Sequence, residues 1–287
     1  MVRATHGYDP DFLGVPVPLP RAGAGVALVE LTYTHFTVLL RPDRRLAAAT
    51  AVTIDGALLR DVSRTGLDWH LDDRVAASDQ AGPELYPRND LDRGHLVRRR
   101  DPVWGDAATA AAANADTFAY PNAAPQVAAF NQSKDLWLGL EDHVLEHADR
   151  ADARLVVLTG PVLADDDPVY RGVRLPRRFW KVAAWRSDDG LAATGYLLDQ
   201  SDLLAALLVA ERDGARAAQM ELGAYRTFQV PVADIEGATG LHLGPLPLAD
   251  RLTADVTAQA APVELTTYDD VVLRPREGGG PRSSTGA

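Results

Sequence analysis

Arg93, Gly94 and His95 place a guanidinium, a residue without a side chain and an imidazole on consecutive positions of the stretch Asn89-Asp90-Leu91-Asp92-Arg93-Gly94-His95. An imidazole, with an ordinary pKa near about 6.5, accepts a proton at neutral pH. A glycine removes bulk beside it and permits backbone geometries closed to other residues. Further on, Phe130-Asn131-Gln132-Ser133 to Leu140-Glu141 carries an amide and a carboxylate at the head of a predicted helix. A proton acceptor, a fixed cation and oxygen ligands for a hard metal are the groups that hydrolysis of a phosphodiester requires.

Each residue also has a plainer reading. An isolated His is more often structural than catalytic. Arg93 could pair with Asp90 or Asp92 instead of donating to a phosphate. If this piece is extended, Arg93 faces away from Asp92 and Gly94, which share the other face. On a helix at ~100° per residue, Trp137, Leu138, Leu140, Val144, Leu145 and Ala148 span one broad arc with Glu141 near its middle. A carboxylate there needs a buried Arg or a metal. His143-Val144-Leu145-Glu146-His147 has the H-x-x-E-H form of some zinc peptidases, and His143 and His147 share one helix face. Both lie well off the apolar arc, which favours chance spacing on a solvent-facing side. No G-x-S-x-G elbow and no G-x-x-x-x-G-K-[ST] phosphate loop occurs.

Asp92-Arg93-Gly94-His95 resembles the Asp-Arg-Gly-His signature of the DNA/RNA non-specific endonucleases. The likeness continues in order through Asp116-Thr117-Phe118, Asn122-Ala123-Ala124-Pro125-Gln126, Asn131, Trp137, Leu140-Glu141, Thr159-Gly160-Pro161 and Phe179-Trp180-Lys181, to the region of Gln229 to Leu241. It spans residues 26 to 248. It implies a ββα-metal nuclease motif in which His95 activates the attacking water and Arg93 donates to the phosphate. Glu141 would orient water or phosphate ligands of a Mg²⁺ or Mn²⁺ ion, and Asn131 would offer its amide oxygen to that ion. Asn122 matches another site position, as a scaffold binding backbone or substrate, beside the plainer reading of an ordinary turn Asn. The family's ligand Asn sits two residues nearer to the Trp and the Glu than Asn131 does here, so strict spacing points to Ser133. Asn131 is retained because Phe130-Asn131-Gln132 matches locally and a helix start can absorb an insertion. The expected partner is DNA, RNA or both. The family also suggests a homodimer, but the sequence identifies neither an interface nor an inhibitor. Two readings from other classes stand beside this one: a zinc peptidase using His143 and His147, and an inactive nucleic-acid-binding module.

The chain has 287 residues, is 46% hydrophobic and contains no Cys, so it can bury a sizeable core but cannot form disulfides or thiolate metal sites. No early apolar run resembles a signal peptide and no apolar stretch approaches the ~20 residues of a membrane span, which favours a cytoplasmic setting. The net charge of −11 argues against a passive nucleic-acid coat protein. Two basic runs soften that objection: Arg93 with Arg98, Arg99 and Arg100, and Arg174 with Arg177, Arg178 and Lys181. Either could line a basic cleft or be an ordinary solvated face.

The positioning elements follow from pattern. Residues 1–25, with Pro16, Pro18 and Pro20, read as an extended arm laid on the surface. Strands are expected within Val26–Leu40 and over Leu46–Ile54, with a catalytic strand starting near His95. Residues 60–90 are polar and irregular, with Trp69 as a lone large anchor. Asp106 caps a helix over 107–115. A second helix runs from Val127 or Asn131 to His147. Strands are expected over Arg154–Leu158, Phe179–Trp185 and Leu191–Leu198, the last two joined by a hairpin at Ser187-Asp188-Asp189-Gly190. A helix from Ser201 to Arg212, a strand over Arg226–Val230 and a short helix around Val232–Glu236 complete a single domain over 26–275. The Gly-, Ser- and Arg-rich residues 276–287 read as a disordered tail. Strands in hairpins with inserted helices predict an α+β fold with a mostly antiparallel β-sheet flanked by helices.

Overall fold

The computed structural model describes residues 7–128, 154–212, 226–252 and 263–265. The strands are β1 (Arg21–Ala22), β2 (Val29–Tyr33), β3 (Phe36–Arg41), β4 (Leu46–Asp55), β5 (Leu91–His95), β6 (Ala123–Val127), β7 (Arg154–Val162), β8 (Val169–Tyr170), β9 (Val173–Arg174), β10 (Arg178–Ser187), β11 (Gly190–Asp199), β12 (Arg226–Val230), β13 (Leu241–His242) and β14 (Val263–Leu265). The described α-helices are α1 (Ala107–Asp116), α2 (Ser201–Arg212) and α3 (Val232–Thr239).

Eight strands form one antiparallel sheet in the order β14-β12-β11-β10-β7-β4-β3-β2. All ten residues of β4 are buried, as are eight of the nine in β7. A strand covered on both faces needs apolar residues at successive positions, and Leu155-Val156-Val157-Leu158 supplies them. Side chains alternate across the sheet. Leu155, Val157, Phe36, Phe179 and Tyr196 belong to one core layer, and Val156, Leu158, Trp180 and Val182 to the other. The predicted hairpin is present: β10 and β11 close at Ser187 opposite Gly190, where Gly190 takes a φ of 108°.

The first layer is completed by Leu91, Leu96, Val97, Ala123, Ala124 and Val127 from the β5–β6 region and by Leu203, Leu204 and Leu207 of α2. This places the Arg93–His95 strand directly over the large sheet. The second is completed by Val232 and Ile235 of α3 and by Tyr8, Phe12, Leu13 and Val17. The N-terminal segment is therefore more than a surface arm. Its apolar side chains are core, the Tyr8 hydroxyl donates to the Val17 carbonyl, and β1 pairs with β13. The prolines suggested extension, but turn hydrogen bonds from Phe12 N–H to Asp9 O and from Gly14 N–H to Asp11 O fold the segment, and Tyr8, Phe12 and Val17 carry its burial.

The expected cap of α1 is present: the Asp106 carboxylate accepts from the Thr109 backbone N–H at 2.8 Å. The expected helix over Asn131–His147 and the tail 276–287 lie outside the described residues.

Candidate functional site

β5 and β6 pair antiparallel, with Leu91 opposite Val127, Arg93 opposite Pro125 and His95 opposite Ala123. The Arg93–His95 strand thus ends at His95 rather than starting there. The chain turns away immediately after the imidazole, and one side chain holds that turn. Asn122 accepts from the Val97 backbone N–H at 2.8 Å through Oδ1, while its Nδ2 donates to the carbonyls of Val97 and Thr117, both at 3.0 Å. Its own carbonyl accepts from Leu96 N–H. Asn122 is fully buried and its amide is spent on backbone. Expected from sequence as a scaffold for backbone or substrate or as a plain turn residue, Asn122 directs its side-chain amide to backbone.

Gly94 has no positive φ, so its backbone needs no conformation peculiar to glycine. What it supplies is space. A Cβ at residue 94 would lie 2.1 Å from Cδ and Oε1 of Gln126, whose side chain fills the room the glycine leaves. The expectation of a special backbone geometry is corrected by this contact. Gln126 itself was part of the sequence likeness but carried no assigned role.

His95 sits against two rings. Its centroid is 4.6 Å from Trp69 at 49° and 5.3 Å from Phe118, nearly perpendicular. Two backbone hydrogen bonds lay Trp69 there: His70 N–H donates to Phe118 O at 3.1 Å, and Tyr120 N–H to His70 O at 2.8 Å. The residue as a whole is only partly buried, yet Nε2 is enclosed and has no hydrogen-bond partner among the described residues. Burial against the rings, reinforced by the positive charges of Arg64 and Arg99, pushes the His95 pKa down to about 3. The imidazole is therefore neutral at pH 7, the form in which a ring nitrogen can accept a proton.

The surroundings are cationic. Exposed Arg64 has its guanidinium carbon 5.9 Å from the Phe118 ring centre. Arg99 is fixed by donating from Nη1 to Val62 O at 2.7 Å and Asn114 Oδ1 at 3.0 Å. Arg93 is exposed, with its guanidinium carbon 5.2 Å from the centre of the Tyr86 ring. Arg64 belongs to the irregular stretch that gave no motif. Its place near His95 follows only from the fold, which brings it back over Phe118.

The second basic run forms no comparable surface. Arg174 donates to the carbonyls of Asp165 and Asp167, Arg177 pairs with Asp166 and Asp167, and Lys181 is buried. The acidic turn Asp165–Asp167 takes up Arg174 and Arg177, which leaves these two side chains unsuited to a basic cleft. Asn131, Ser133, Glu141, His143 and His147 lie outside the described residues. Among the described residues no cluster of three or more His, Asp or Glu could hold a metal ion.

Residues 20–249 match the family described as DNA/RNA non-specific endonuclease. The chain is 40% identical over 257 residues to the uncharacterized protein y4fB of Sinorhizobium fredii, covering 82% of this chain and 38% of that protein. It is 28% identical over 202 residues to mitochondrial endonuclease G of Bos taurus, covering 66% of this chain and 60% of that one. The chain thus spans about two fifths and three fifths of these relatives. The crystal structure of the EndoG/EndoGI complex, described as showing the mechanism of EndoG inhibition, superposes with a TM-score of 0.55 at 21% identity, over 74% of this chain and 84% of that one. It shares the fold.

Proposed function

Since the chain belongs to the DNA/RNA non-specific endonuclease family, we propose that it hydrolyses phosphodiester bonds in DNA, RNA or both, with His95 as general base and a divalent metal ion as cofactor. The observation that carries the reading is the state of His95. It is a neutral imidazole whose enclosed Nε2 has no hydrogen-bond partner among the described residues, set between rings and beside Arg64 and Arg99. A buried polar atom without a partner costs free energy, and such atoms are retained where a ligand or substrate supplies the partner.

In this mechanism His95 takes a proton from the attacking water. Arg93 and Arg64 donate to the non-bridging phosphate oxygens, where charge grows in the transition state. Asn122 acts through backbone, holding the turn that ends the His95 strand. The described half of the site thus supplies a base and cations. Oxygen donors suited to a hard cation come from Asn131, as ligand through its amide oxygen, and Glu141, orienting the ion's water or phosphate ligands; neither involves a thiolate. A bound Mg²⁺ or Mn²⁺ would stabilise the developing oxyanion and lower the pKa of water. That help matters, because a base whose pKa is about 3 is weak.

A plasmid-nicking assay tests the proposal. The protein should convert supercoiled DNA with Mg²⁺, stop in excess EDTA, and lose about 10²–10⁴-fold in rate on His95→Ala. The paired variant His143→Ala with His147→Ala should cut at the parent rate. Full cleavage by the His95 variant, or in excess chelator, would overturn the mechanism.

A further inference from the structure

The two proposed catalytic side chains of β5 stand on a single row of rings. The Arg93 guanidinium lies over Tyr86 at 5.2 Å. Tyr86 stacks on Tyr120 at 6.2 Å and 22°, Tyr120 meets Trp69 at 5.8 Å, and Trp69 meets His95 at 4.6 Å. Tyr86 and Tyr120 are buried in the core layer beneath the site, and Trp69 packs against the same layer. We propose that Tyr86, Tyr120 and Trp69 form an aromatic floor whose rings are positioning residues, seating Arg93 at one end and His95 at the other.

Three observations favour positioning over contact with nucleic acid. First, Tyr86 and Tyr120 are 6% and 5% exposed, so their faces cannot stack on a base. Second, the Tyr86 hydroxyl is enclosed without a partner among the described residues, so the ring face, rather than the hydroxyl, is what Arg93 uses. Third, the row begins in segments distant in sequence. Trp69 comes from the loop pinned to Phe118 and Tyr120 through His70, whereas Tyr86 follows the short 3₁₀ turn Pro83–Leu85. Rings from separate segments meeting under two alternate, same-face strand residues give both side chains a rigid seat. A guanidinium held over a ring loses less freedom when it meets a phosphate, and an imidazole wedged between rings keeps its nitrogen aimed. Aim matters because a ~1 Å misplacement of a reacting group can cost ~10²-fold in rate.

This inference rests on the nuclease reading, so the experiment separates the two. Trp69→Phe and Tyr86→Phe keep a ring; Trp69→Leu and Tyr86→Leu keep apolar bulk without one. In the Mg²⁺ plasmid assay the Phe variants should stay near the parent. The Leu variants should lose roughly 10- to 100-fold in kcat with KM near the parent's, the pattern of a misplaced catalytic group. If either Leu variant does not fold, Met at that position carries the comparison. The His95 ring protons, observed by NMR, give a readout independent of turnover. Their shifts should be displaced by the Trp69 and Phe118 rings in the parent, largely retained in Trp69→Phe and moved toward the ordinary imidazole range in Trp69→Leu, with only the Phe118 displacement left. Equal kcat for the Leu and Phe variants, or unchanged His95 shifts on losing the ring, overturns the floor. A parent that does not cleave overturns the nuclease reading instead, and the NMR comparison then decides the floor alone. Loss of activity in Tyr86→Phe would make the hydroxyl the working group and also refute the proposal.

Discussion

Replacing Gly94 by Ala tests whether space is what the middle of the Asp-Arg-Gly-His run supplies. The added Cβ would lie 2.1 Å from Cδ and Oε1 of Gln126 and 2.7 Å from its Cγ, all far inside van der Waals contact. Gln126 is 1% exposed, so its side chain has no solvent to swing into. Either it is forced from its rotamer or β5 and β6 separate. Overpacking of this kind costs about 1–3 kcal/mol. At ~2–4 °C per kcal/mol for a domain of this size, the melting temperature should fall by a few degrees to about 10 °C. Activity should fall further than stability, because His95 is the next residue and a ~1 Å shift of a catalytic group can cost ~10²-fold. Thermal melts and Mg²⁺-dependent cleavage rates of Gly94→Ala, Gln126→Ala and the double variant form a cycle. Truncating Gln126 deletes all three clashing atoms, so the double variant should recover most of the loss, with a coupling of about 1–3 kcal/mol. A Gly94→Ala protein that melts and cleaves like the parent would refute the reasoning. A double variant no better than Gly94→Ala would mean that backbone conformation, not room for Gln126, is what the glycine provides.

Three further outcomes are expected. The pKa of His95 is pushed from its ordinary 6.5 to about 3 by burial first and by Arg64 and Arg99 next, so protonation favours the unfolded chain. His95 should therefore cost no stability above pH 6.5 and progressively more as the pH falls toward 3; melts at pH 7 and 4.5 should show a smaller acid loss for His95→Phe than for the parent, and an equal loss contradicts the assignment. Asn122→Ala strips partners from Val97 N–H and from the carbonyls of Val97 and Thr117, and at about 1–3 kcal/mol per buried group left unpaired it should lower denaturant stability by at least that much; a loss of rate at unchanged stability would instead make it a substrate ligand. Across a Mg²⁺ titration, Asn131→Ala should lose most activity while Ser133→Ala stays near the parent, since an amide oxygen is the better neutral ligand for a hard ion; the reverse would mean that strict spacing from Trp137 governs the site.

The residue pattern alone determined much of this protein. Alternating and continuous apolar runs predicted β2, β3, β4, β7 and the β10–β11 hairpin, because strand periodicity and turn chemistry are local properties. Asp106 announced α1 for the same reason, since a cap acts within three residues. The ordered series from Asp92 to Leu241 identified the family, and His95, Arg93 and Asn122 lie together on or beside β5 and β6. Other features were decided only by tertiary structure. Arg64 and Trp69 sit in a polar stretch without period, and only the backbone bonds through His70 bring Trp69 onto His95. Arg174 and Arg177 read as a cationic run until the fold places Asp165–Asp167 against them. Gly94 reads as a flexible residue until the β5–β6 register sets Gln126 into its empty face. The physical reason is common to all three. Propensity and capping depend on neighbours in the chain, whereas room for a side chain, the partner of a charge and the protonation of an imidazole depend on neighbours in space.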